Sequence, residues 1–248
     1  MIDLQNDYLR WFDHWLKGAD NGVIREPLVN LFVMGSNRWV RGPKYPLPET
    51  RFEKLYLTGE GRLSFAAPAK GQAPDHYAYD PGDPTPEPLG EGRKDAVVYS
   101  TAPFEKPYTI VGPVSAVLYA ATSARDTDWF VHLIDVDGDG KQTRLWATSS
   151  GQLRASYRES ARKPGPIKPG MIYRYAIDLW HTGITISAGH RLRVEVASAA
   201  FPVYGRNLNT GDDNEMGTRY VTAQQTIYHD AARPSYVLLP HIELSAVP

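Results

Sequence analysis

The sequence predicts an all-β fold, a sandwich or barrel of short strands, preceded by one amphipathic helix. Three observations predict it. Downstream of Pro27 the chain breaks into short β-branched and aromatic runs divided by Gly, Pro, Asn and Asp clusters. Its 20 prolines and 21 glycines punctuate those runs. Several runs alternate apolar and polar residues with the two-residue period of a half-buried strand. In Arg191–Val196, Leu192, Val194 and Val196 are set toward one face, and Arg191, Arg193 and Glu195 toward the other.

The helix comes first. Leu4, Tyr8, Trp11, Phe12 and Trp15 recur at helical spacing as one apolar stripe, with Asp3 as N-cap and Gly18 as stop. A stripe this aromatic must pack against something large. Residues 1–26 are therefore read as helix and linker and residues 27–248 as the sandwich. Strands are expected at Leu28–Met34, Phe52–Leu57, Ala96–Ser100, Tyr108–Ala121, Trp129–Val136, Gln142–Leu145, Gly151–Tyr157, Ile172–Asp178, Arg191–Ser198 and Tyr236–Leu244. The run Tyr173–Asp178 is expected to be the companion of the strand at Arg191, joined to it through Thr182–His190 and a turn holding Gly189. Pro68–Lys94, rich in Pro, Gly and Asp, reads as a long loop ordered by its own turns.

Size and composition fit one domain, since 248 residues with 42% hydrophobic content can bury a large core as an all-β unit. With 27 basic and 28 acidic residues well mixed and a net charge of -1, neither nucleic acid nor an anionic membrane is an expected partner. No segment approaches the roughly 18 continuous apolar residues of a membrane span, and the first residues lack the basic start and apolar run of a signal peptide. The absence of cysteine excludes disulfides, thiol nucleophiles and thiolate metal sites, and it favours a cytoplasmic location without fixing it.

Acyl-transfer chemistry needs an activated nucleophile with a base in hydrogen-bond reach. The sequence has no G-x-S-x-G elbow, and Ser36, in Met34-Gly35-Ser36-Asn37, reads as a turn serine. His14, His76, His132, His181, His190, His229 and His241 are scattered without ligand spacing, so structural hydrogen bonding or solvent exposure is expected of them. The run Asp135-Val136-Asp137-Gly138-Asp139-Gly140-Lys141 matches the first half of a calcium loop. Its twelfth position, however, is Trp146 where a bidentate Glu is needed, and a hairpin tip without a tightly held ion is expected. Six tryptophans and 15 tyrosines could stack on sugar rings, but they are dispersed along the chain as core aromatics are. No catalytic residue, metal ligand or cofactor-binding residue is assigned.

Specific motifs add a resemblance. Trp11-Phe12-Asp13-His14-Trp15-Leu16-Lys17-Gly18, then Pro27–Gly35, Trp39 and Tyr45-Pro46-Leu47-Pro48, resemble the join between the catalytic and C-terminal domains of CocE/NonD-type (cocaine-esterase-like), X-prolyl dipeptidyl peptidase-related serine hydrolases. Tyr79–Pro86, Val98–Thr101, Gly112–Ala116, Asp126-Thr127-Asp128-Trp129, Arg154–Arg158, Ile177–Leu179, Gly189–Val194, Ser198–Pro202 and Arg206–Gly211 resemble successive signatures of that C-terminal domain, covering nearly the whole chain. The resemblance implies a jelly-roll, galactose-binding-like β-sandwich packed against an α/β-hydrolase domain. It also implies that the Ser-Asp-His triad lies upstream of the helix. This chain alone would then be inactive, an accessory domain that stabilises the catalytic domain and walls its active site. The loop Tyr79–Asp95 can approach the substrate pocket in the family. Here its Pro88-Leu89-Gly90-Glu91-Gly92 stretch is short, which implies support of the sheet in preference to substrate contact. With the helix's cover missing, a homodimer through the helix is expected. The alternative is an independent, carbohydrate-binding-like jelly-roll module.

Overall fold

The computed structural model describes residues 3–90, 92–144 and 150–246. Glu91, Leu145 and Trp146 lie outside them. Helix α1 (Leu4–Lys17) has both expected caps. Asp3 Oδ1 accepts the Asn6 N–H at 3.1 Å, and Gly18, at φ 71, closes the far end by donating to the His14 carbonyl at 3.1 Å. After a 3-10 turn (Val23–Arg25), the described strands are β1 (Val29–Val33), β2 (Arg38–Gly42), β3 (Arg51–Thr58), β4 (Arg62–Ser64), β5 (Asp75–Tyr79), β6 (Ala96–Ser100), β7 (Tyr108–Thr122), β8 (Asp128–Val136), β9 (Gln142–Arg144), β10 (Ser150–Arg154), β11 (Tyr173–Ile186), β12 (Arg191–Ala197), β13 (Ala223–Tyr228) and β14 (Tyr236–His241).

The fold is the expected jelly-roll β-sandwich with a short N-terminal helix. One layer runs β10-β8-β12-β6, with β9 continuing beside β8 beyond β10. In the other, the long β7 carries β11 along one edge and β14 and β13 in succession along the other; β14 leads on to β3 and β4, and β13 to β5. A single parallel pairing, Arg62 with Ser100, links the layers at β4 and β6. Trp129, Tyr79, Tyr99, Tyr175, Leu55 and Leu133 fill the space between, and each large apolar side chain so buried contributes roughly 1.5–3 kcal/mol. A smaller core of Val33, Val40, Leu47, Val111 and Ile242 fastens the β1–β2 hairpin.

Three expectations need correction. The run from Tyr173 does not pair with β12: β11 continues to Ile186 beside β7, and β12 lies between β6 and β8. A register shift between Asp178 and His181 breaks the alternation there, so residues 182–186 did not read as the same strand. Second, Pro68–Lys94 is not all loop, because Asp75–Tyr79 is β5, paired with β13. Third, Glu195 is buried with its apolar neighbours, since β12 is an interior strand with layers of chain on both faces. Among the described residues no helix is long and apolar enough to cross a membrane.

Candidate functional site

Three segments far apart in sequence meet at one end of the sandwich. Asp126 and Asp128 stand at the start of β8, Arg154 ends β10, and Asn207 lies in the connection between β12 and β13. The fully buried Asp128 accepts from Arg154 Nε at 3.0 Å and Nη2 at 3.4 Å, and from Gln152 Nε2 at 3.4 Å. The Asn207 amide donates to Asp128 at 3.0 Å and to Asp126 at 3.4 Å, so one NH2 group holds both carboxylates. Asp126 also accepts the Ser156 N–H at 3.0 Å and its hydroxyl at 3.1 Å. Burial holds the Asp126 carboxyl above its usual range, against the donors from Asn207 and Ser156 and with help from the Asp128 charge. At Arg154 burial opposes the charge, but the hydrogen bonds and charge of Asp128 outweigh it and the guanidinium is more basic than usual.

Above Asp126 a cleft of about 690 Å³ opens between the segment containing Tyr157 and Lys168 and the loop containing Asp213. That volume is in the range of small-molecule sites, and the lining charges are mixed, with Arg125 and Arg154 beside Asp126. The Ser156 hydroxyl, at the edge of this cleft, is bonded to the Asp126 carboxylate and to no histidine.

The residues singled out in the sequence are not brought together. Ser36 donates its hydroxyl to the Val33 carbonyl at 3.3 Å inside the β1–β2 turn. Each histidine has its own neighbour. His14 Nδ1 lies 2.9 Å from the Ala19 carbonyl, His76 lies 3.1 Å from Thr226, and His190 lies 2.9 Å from Asp135. His181 meets the Tyr45 hydroxyl, and His241 Nδ1 is 3.0 Å from the Thr109 carbonyl. The buried His229 is 2.9 Å from Asp75, which also accepts the Tyr99 hydroxyl at 2.7 Å. Burial pushes the Asp75 carboxyl up, but those two partners outweigh it and hold it below its usual range. His132 is buried between Ser150 at 3.0 Å and Glu87 at 3.3 Å, and desolvation depresses its imidazolium to about 4.

Asp137 and Asp139 lie at the expected hairpin tip between β8 and β9, whereas Asp135 lies within β8, paired with Thr143 of β9. Asp137 Oδ1 accepts the N–H groups of Asp139 at 3.0 Å and Lys141 at 2.8 Å, while the Asp135 carboxylate faces His190, so these two carboxylates serve separate contacts. Among the described residues no group of three or more potential ligands could hold a metal ion.

An apolar face is the second feature. No residue of α1 is buried, and Leu4, Tyr8, Trp11, Phe12 and Trp15 stand open to solvent. The helix is tied to its linker by the Arg10–Glu26 ion pair and by Asn21 donating to the Arg10 carbonyl at 2.6 Å. Phe32 and Trp39 pack 5.4 Å apart on the β1–β2 hairpin, and Tyr45 and His181 5.3 Å apart next to it.

Fold and site define a jelly-roll module entered through a helix whose apolar stripe the described residues do not cover. The chain belongs to the X-Pro dipeptidyl-peptidase C-terminal non-catalytic domain family, whose model matches residues 21–238. It is 36% identical over 261 residues to the cocaine esterase of Rhodococcus sp. (strain MB1 Bresler), covering 94% of this chain and 45% of the esterase. Among solved structures it is similar to an aminopeptidase from the marine sediment archaeon Thaumarchaeota archaeon (TM-score 0.87, 30% identity, 96% of this chain and 44% of that one). It is also similar to an α-amino acid ester hydrolase (TM-score 0.82, 28% identity, 94% and 44%). The chain thus spans less than half the length of these relatives. The motifs at 126–129, 154–158 and 206–211 were each visible in the sequence, but their convergence on one buried cluster was not.

Proposed function

We propose that the chain is the accessory C-terminal domain of a serine ester or amide hydrolase. It stabilises an α/β-hydrolase catalytic domain and closes one wall of its active site, and the Ser-Asp-His triad resides in that other domain. The observation that carries this reading is α1, a capped helix with an aromatic stripe and no buried residue. Exposure of several large apolar side chains is unfavourable in water and is relieved by a partner surface. The relatives, an esterase, an aminopeptidase and an ester hydrolase, each more than twice the length matched here, support a catalytic domain as that partner.

The loop Tyr79–Asp95 supports a bracing role. Arg93 Nη1 donates to both Asp83 oxygens at 2.9 Å, Arg93 Nε and Nη2 donate to Asp95 at 2.9 and 2.6 Å, and the Glu87 N–H donates to the Phe201 carbonyl at 2.7 Å. Such a loop is held from within and supports the sheet in preference to contacting substrate. A second reading, an independent ligand-binding module, is favoured only by the cleft above Asp126, and a glycan array with the chain alone separates the two.

The test is a chimera in which this chain replaces the matching region of the Rhodococcus esterase. We expect the chain alone to show no fluorophosphonate labelling and no hydrolysis of p-nitrophenyl acetate, and the chimera to be active and more heat-resistant than the catalytic half. Labelling of the isolated chain, or a chimera no more stable than that half, overturns the reading.

A further inference from the structure

We propose that Trp180 is a docking anchor, an indole turned out of β11 to seat in an apolar pocket on the catalytic domain that precedes α1, an inference that rests on the accessory-domain reading. Along β11, Tyr175, Ile177 and Leu179 point inward in strict alternation. The register shift between Asp178 and His181 then inserts one residue, so Trp180 and His181 both face out and Thr182, Ile184 and Ile186 resume the inward phase. A bulge that re-aims a side chain and lets the strand continue beside its partner is a built feature.

The backbone at Trp180 is strained. Its φ of 62 lies in the left-handed region, which a bulky residue adopts only when its surroundings enforce it. Two contacts enforce it here. Asp178 Oδ1 accepts the Trp180 N–H at 2.8 Å, and on the neighbouring β10 the chain passes so close at Gly151 that a Cβ there would sit 2.3 Å from the Asp178 carbonyl oxygen. The product of this arrangement is an indole left 60% exposed. Within the chain both the strain and the exposed ring are unfavourable, so the arrangement is explained by a surface that accepts the ring.

The position selects the occupant. The β1–β2 hairpin joins β11 just past the bulge, where Met34 N donates to Gly183 O and Thr185 N to Met34 O, each at 2.9 Å. Strand β1 is the first strand after α1, so a domain attached ahead of α1 is tethered at this corner. Tyr45 packs on His181, the residue after Trp180, and Phe32 and Trp39 pair on the β1–β2 hairpin, each of the three about two-fifths exposed. Tryptophan flanked by further aromatics is the composition of an interface hot spot.

Trp180→Gly tests the proposal through two readouts of opposite sign. In the chain alone, glycine accepts φ 62 without strain, and Tm should rise by roughly 2–4 °C. In the chimera the same change should lower the temperature of activity loss and speed proteolysis of linker 18–27 about tenfold, with kcat of the surviving enzyme unchanged. A Trp11→Ser/Trp15→Ser chimera serves as reference. If it uncouples the domains and Trp180→Gly does not, the accessory reading stands and the anchor fails; if neither uncouples them, both fail. A fall in Tm of the isolated Trp180→Gly chain shows that the ring serves the sandwich itself and overturns the proposal even where the chimera does not fold.

Discussion

Replacing Asp128 by alanine should be among the most destabilising single changes in the sandwich. The carboxylate is fully buried and accepts four hydrogen bonds, from Arg154 Nε and Nη2, Gln152 and Asn207. Its removal takes the carboxylate acceptor from a guanidinium whose side chain is only 35% exposed, and leaves the fully buried Asn207 amide with only the longer bond to Asp126 at 3.4 Å. Breaking a buried ion pair from one side costs about 3–5 kcal/mol when the remaining charge is desolvated, and solvent reaching the one-third-exposed Arg154 sets the expectation toward the lower end. For a domain of this size that corresponds to a fall in Tm of roughly 6–20 °C. The control is Asp128→Leu combined with Arg154→Met. Removing both charges together should cost clearly less than the sum of the single changes, since the main penalty is the orphaned partner and not the lost attraction. Urea denaturation at pH 7 of Asp128→Ala and of the four proteins of the cycle, native, Asp128→Leu, Arg154→Met and the double variant, measures both quantities. A cost below about 1 kcal/mol for Asp128→Ala, or strict additivity in the double variant, would refute the reasoning.

Acidification should weaken the fold through His132. Its folded pKa of about 4 lies below the ordinary value of 6.5, so this contribution is present above about pH 6.5 and is lost as pH falls toward 4. The loss is at most about 3 kcal/mol, because Glu87 at 3.3 Å favours the charged ring; His132→Gln should flatten that part of a pH–stability curve, and an unchanged slope counts against it. Gly151→Ala should lower stability by about 1–3 kcal/mol, as the added methyl meets Asp178 O at 2.3 Å and Ile177 Cγ2 at 2.7 Å, and a neutral result in thermal melts would dismiss the close approach. Micromolar Ca²⁺ should leave Tm unchanged in both the native chain and Asp137→Ala, whereas a rise present only in the native chain would mean that the hairpin tip holds an ion. In sedimentation the isolated chain should associate through α1 as a two-fold dimer and shift toward monomer in Trp11→Ser/Trp15→Ser, and a native monomer at high micromolar concentration would contradict this.

Most of the strand framework was legible because the physics behind it is local. The helix was readable from a 3.6-residue stripe and two caps, and β6, β8 and β12 from continuous or alternating apolar runs with turn residues at their ends. What escaped notice was short, out of phase or, in β13 (Ala223–Tyr228), marked by polar residues such as Gln225 on its buried face. β4 has three residues, β2 is Arg38–Gly42 with charge at both ends of its apolar pair, and β5 lies inside a proline-rich stretch where only Tyr77 and Tyr79 turn inward. β11 was read to only half its length because one inserted residue at Trp180 makes the second half alternate in the opposite sense. Pairing partners were harder still, since β7 serves three neighbours and no local pattern states which strand lies beside which.

The polar cluster and α1 pose one physical problem with two outcomes. Asp126 and Asp128 open an apolar strand that runs inward at once through Trp129, Phe130 and Val131, so burial of both carboxylates is implied by their place in the sequence. A buried carboxylate demands donors, and the demand is met about eighty residues away by Asn207, whose single amide bridges the pair, and by Arg154 at the end of the adjacent strand. No periodicity links such positions, but the unmet need of each could have been matched to the other. Helix α1 carries a need of the same kind in apolar form. Its stripe is as emphatic as the aspartate pair, yet no described residue of the chain covers it. The strained, outward Trp180 lies on the strand joined by the β1–β2 hairpin that follows α1. On the accessory-domain reading proposed above, both exposed features face one partner surface, and a domain tethered ahead of α1 would relieve the two together.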